Sequence, residues 1–77
     1  MNDFEHARAL LSAVIAAYSA LVGEATSREV TRALHAERAP LLHDREKLTA
    51  DDRDRVAEII REMPGRLAAV RAGGSSG

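Results

Sequence analysis

The chain has 77 residues, 45% of them hydrophobic and 30% charged, with a formal net charge of −1. That length and composition describe one small folded domain. The balanced charge offers no basic field for nucleic acid, and the absence of cysteine excludes disulfides, thiolate chemistry and a cysteine-based zinc site. Phe4 and Tyr18 are the only aromatic residues, so the core has to be aliphatic. The abundance of Ala and Arg suggests a bacterial source of high GC content.

The first element is predicted to start at Asn2, because Glu5 follows three residues later, the spacing of a capping box. From Ala9 to Gly23 the chain carries no charge over 15 residues. At 100° per residue, Phe4, Ala7, Leu10, Leu11, Val14, Ile15, Ala17, Tyr18, Leu21 and Val22 share one broad face. Glu5, Arg8, Ser12 and Ser19 form a narrow polar sector. A separate row of small residues, Ala9, Ala13, Ala16 and Ala20, permits close approach of another backbone. Neighbours within one bundle cover both faces on one reading; on the other, the alanine row meets a second chain. The uncharged run is short for a membrane span, and acidic Asp3 and Glu5 do not suit a signal peptide. A cytoplasmic protein without membrane association is expected.

Gly23 is a natural residue just past a helix end, and Glu24-Ala25 reads as a short loop. Thr26 with Glu29 repeats the capping-box spacing and opens the second helix. Val30, Leu34, Leu41 and Leu48 keep one phase across Pro40, which favours a single kinked helix over a break near Arg38–Ala39. Thr49-Ala50-Asp51-Asp52 is the third cap signal, with Asp51, Asp52 and Asp54 suited to a helix start and Arg66 and Arg71 to a helix end. The stripe of the third helix is Val56, Ile59, Ile60, Met63, Leu67 and Val70, again in phase across Pro64-Gly65. Asp51 with Arg55 and Glu62 with Arg66 are favourable pairs one turn apart.

Three segments joined by short connections predict an all-α fold, a small antiparallel three-helix bundle. A break at Pro40 or Pro64 would give four or five helices. The helical domain is expected over residues 1–72, with 73–77 as a flexible linker or an artificial tail. Met1 and that tail suggest an N-terminal module of a larger protein.

No constellation for chemistry stands out. His6, His35 and His43 lack the three- or four-residue spacing of a helical metal pair, and His35 and His43 are about 12 Å apart along a helix. The Asp51–Arg55 run starts a helix, lacks the central glycine of a calcium loop and reads as helix-start electrostatics. Glu37 lies nearest the second stripe and is expected to be partly buried against Arg38 or Arg61. Nucleophile elbows and glycine-rich phosphate loops are missing. No catalytic residue, metal, cofactor, nucleic acid or small-molecule substrate is therefore expected.

The functional expectation is a non-enzymatic interaction module, a docking or adaptor domain working by helix packing with itself or a protein partner. The alternative is a stand-alone regulatory dimer controlling an enzyme or a transcription factor. The expected interface is Ala9, Ala13, Ala16 and Ala20, with Arg32, Arg45, Arg53, Glu58 and Arg61 setting partner choice.

Overall fold

A computed structural model describes residues 2–76, with side chains described through residue 73. The described residues form three antiparallel helices, α1 (Asp3–Glu24), α2 (Arg28–Lys47) and α3 (Arg53–Ser76), and no strand. The bundle predicted from the sequence is the fold, and neither proline splits a helix. Residues 73–76 of the segment expected as a linker lie within the bounds of α3, and residue 77 is outside the described residues.

α1 starts where the cap pattern placed it. Asn2 is extended, and its side-chain oxygen accepts the Glu5 N–H at 2.8 Å, satisfying a donor that the helix itself leaves unpaired. Asp3 and Glu5 put negative charge at the positive end of the helix dipole. The C-terminal end differs from expectation. Gly23 stays inside α1, and the chain leaves through Ala25, which is extended at φ −67° and donates to the Leu21 carbonyl at 2.9 Å. No described residue has a positive φ, so the left-handed conformation that favours glycine after a helix is not used here.

α2 also starts one residue later than the sequence pattern suggested. Ser27, not Thr26, is the N-cap, its Oγ accepting the Val30 N–H at 3.4 Å. The Thr31 hydroxyl then donates back to the Ser27 carbonyl at 3.0 Å. α2 passes through Pro40 without interruption. Pro40 is exposed, and so is Ala36, the residue whose carbonyl loses its N–H partner to the proline ring. Pro64 lies inside α3 in the same way and is likewise exposed.

The α2–α3 turn is fixed at both ends. Leu48 is buried and extended, and its N–H closes onto the Asp44 carbonyl at 2.8 Å. The third cap signal resolves onto Asp52: its carboxylate accepts from the N–H of Thr49 at 3.1 Å and its hydroxyl at 3.2 Å, and its carbonyl accepts the Val56 N–H. The expected pair Asp51–Arg55 does not form. Arg55 instead bonds Asp44 of α2 and Glu58 of its own helix, which ties the two helices together just beyond the turn. These partners raise the Arg55 pKa, the hydrogen bond to Asp44 most of all, with desolvation opposing.

The core is aliphatic apart from Tyr18. Ala7, Leu11, Val14, Ile15 and Tyr18 of α1 meet Leu41 of α2 and Val56, Ile59, Met63 and Val70 of α3, with Leu48 sealing the turn. α1 packs against both partners, whereas no Cα of α2 comes within 8 Å of a Cα of α3. The two outer helices are held by α1 and by the turn that joins them. The molecule is correspondingly long and flat, 40 × 20 × 16 Å. Its radius of gyration is 13.1 Å, against roughly 11–12 Å for a compact chain of this length.

The splay has a cost in burial on α2, where Leu41 alone is fully buried within the helix. Leu34 is half-buried, and Val30, the first residue of the predicted stripe, is 49% exposed.

Candidate protein-binding surface

α1 divides into sectors that its two neighbours use differently. The large-residue face is the core. Leu10, Ala17 and Leu21 are half-buried and extend that core on one flank. The opposite flank carries the serines, and both accept a guanidinium from α2. Arg38 Nη1 donates to Ser19 Oγ at 2.9 Å, and Arg45 Nη1 donates to Ser12 Oγ at 3.4 Å. Ser19 Oγ in turn donates to the Ile15 carbonyl at 3.0 Å. The two rungs are seven residues apart on each helix, two turns, which sets the antiparallel register of α1 and α2. The two serines of the narrow polar sector seen in the sequence thus line the seam with α2, while Glu5 and Arg8 of that sector are exposed.

The alanine row lies on the side of α1 that neither helix covers. Ala9, Ala16 and Ala20 are exposed, and Ala13 is half-buried. Ala13, Ala16 and Ala20 line an open groove of about 560 Å³ with Leu21 and Glu24 of α1 and Val70 and Arg71 of α3. Ala9 is not part of that groove. With methyl groups for a floor, such a surface admits another helix at short distance and gains by dispersion and by removing apolar surface from water.

The five charged residues expected to guide recognition are divided between two helices. Arg32 and Arg45 are on α2; Arg53, Glu58 and Arg61 are on α3. Arg32, Arg53 and Arg61 are exposed. Arg45 is half-buried against Ser12, and Glu58 is half-buried and bonded to Arg55.

Glu37, expected to be partly buried, is exposed; the half-buried charge on this part of α2 is its neighbour Arg38. Arg38 Nη2 also donates to His35 Nδ1 at 2.7 Å, and its Nε is buried with no partner. His6, His35 and His43 are all exposed, and no group of three metal-binding side chains occurs among the described residues. Arg66 bonds the Tyr18 hydroxyl across the α1–α3 seam, a role that the sequence pattern did not reveal. The signal for it was weak: a tyrosine phase-locked to the core needs a polar partner for its hydroxyl.

By length and composition α1 is also apolar enough to cross a membrane, with 28% of its most apolar window buried in this fold. The same helix therefore supplies much of the core and still leaves part of its apolar surface uncovered.

No known protein family, curated protein or solved structure matches the chain.

Proposed function

We propose that this domain is a protein–protein interaction module, of docking or adaptor type, that works by helix packing on the small-residue face of α1. The observation that carries the reading is the exposure of Ala9, Ala16 and Ala20 on a helix whose other faces are taken up by α2 and α3. A cytoplasmic, non-enzymatic role fits a surface built from methyl groups. Arg32, Arg53 and Arg61, exposed on the flanking helices, would select among partners more than they would add affinity.

Self-association is the mode open to direct test, by sedimentation equilibrium over a wide range of concentration. The wild type should grow heavier than a monomer as concentration rises. Ala16→Glu should return it to monomer mass with its helicity unchanged, because a carboxylate there would be buried unpaired. A wild type that keeps monomer mass throughout removes self-association as the mode. An Ala16→Glu chain that still associates removes the alanine face as the surface.

A further inference from the structure

Arg38 and Arg45 are half-buried cations with no carboxylate among their hydrogen-bond partners. Arg38 donates to Ser19 and His35, and Arg45 donates to Ser12. Among the described residues the close ion pairs are those of Arg55, at the other flank of α2. A guanidinium has five donors, and a serine hydroxyl uses one of them. The Arg38 Nε is buried and unpaired, but Nη1 and Nη2 each keep a second N–H beyond the bonds to Ser19 and His35, and these are the donors that a carboxylate would accept from.

The two arginines also share a face. They are seven residues apart, two turns or roughly 10.5 Å. Leu42, four residues after Arg38 and three before Arg45, lies between them on that face and is 37% exposed, one of two large apolar side chains so exposed among the described residues. Across the seam lie Ser12 and Ser19 of α1, and beside them the exposed Ala16. The result is a strip with a cation at each end, an apolar side chain between, and a small-residue floor alongside.

We infer that this strip, along the α1–α2 seam, docks an acidic amphipathic helix of a partner protein. That helix would present two carboxylates seven residues apart to Arg38 and Arg45, and small apolar residues to Leu42 and Ala16. The matching repeat selects a helix: carboxylates two helical turns apart span the same length as the two guanidiniums, and each accepts from the fork geometry of an arginine. The inference rests on the interaction-module reading and gives the partner its chemistry.

The probe is an alanine-based helical peptide with two glutamates seven residues apart, compared with the same peptide carrying glutamines or lysines there. Binding to the full chain is followed by peptide fluorescence anisotropy at low salt. The glutamate peptide should bind saturably, and about tenfold more tightly than the glutamine peptide. Added salt should shrink that preference. The charge-reversed protein, R38E with R45E, should prefer the lysine peptide instead. No saturable binding of the glutamate peptide, or equal binding of the glutamate and glutamine peptides to the wild type, overturns the inference. That comparison stands even if the charge-reversed protein fails to fold. A negative result from a wild type that self-associates through Ala16 would refute the acidic partner alone and leave the module reading in place.

Discussion

Arg66 of α3 bonds the hydroxyl of Tyr18 of α1 through both Nη2, at 3.1 Å, and Nε, at 3.3 Å. The guanidinium carbon lies 5.6 Å from the centre of the same ring. Tyr18 is 4% exposed, so its hydroxyl is satisfied inside the protein at the point where α3 crosses the end of the core. Tyr18→Phe keeps the ring packing and leaves the Arg66 donors to water, because Arg66 is only half-buried. The expected cost is about 0.5–1.5 kcal/mol. In a domain of this size each kcal/mol is roughly 4–8 °C of melting temperature. A double-mutant cycle with Arg66→Gln, read by thermal denaturation, should give a coupling energy of the same sign; a coupling of zero would mean the pair contributes nothing to stability.

The cap of α2 separates two adjacent hydroxyls. Ser27→Ala removes the acceptor for the Val30 N–H and should cost about 1 kcal/mol. Thr26→Ala should be close to neutral, as Thr26 is exposed and precedes the cap. Urea denaturation of the two variants checks the assignment, and the reverse order of stability would return the cap to Thr26.

Pro40 sits in the interior of α2 on its exposed side. Pro40→Ala restores an N–H to the helix and removes the clash of the ring with the preceding turn. The unfolded chain gains freedom at the same time, which offsets part of the benefit. A net stabilisation of about 1–2 kcal/mol is expected from these two effects, visible as a higher urea midpoint at an unchanged slope.

Much of this architecture was legible in the residue pattern. The Asn2–Glu5 spacing located the start of α1, and the stripes that stayed in phase across Pro40 and Pro64 anticipated continuous helices. The alanine row could be told from the core because it occupies its own sector of α1. What escaped was set by tertiary geometry. Thr26 and Ser27 are equally able to cap, and only the path of the chain out of Ala25 decides between them. Gly23 has the right position for a left-handed helix end, but an extended exit needs no glycine. The polar sector that holds Ser12 and Ser19 did not reveal their partners, Arg45 and Arg38, which come from a helix whose register the sequence does not specify. Val30 fits the stripe of α2 by phase and is still half-exposed, since no Cα of α2 comes within 8 Å of a Cα of α3.

The separation of α2 from α3 also bears on the order in which the molecule comes apart. α1 and α3, far apart in sequence, hold most of the core, while α2 adds Leu41 and rests on α1 through half-buried side chains. A helix with so few buried anchors can open while the α1–α3 pair stays closed, which makes it a separate cooperative unit. In native-state hydrogen exchange, the amides of α2 should therefore exchange by a lower-energy opening than those at Leu11, Val14 or Ile59. One common opening energy for all three helices would show that the domain unfolds as a single unit.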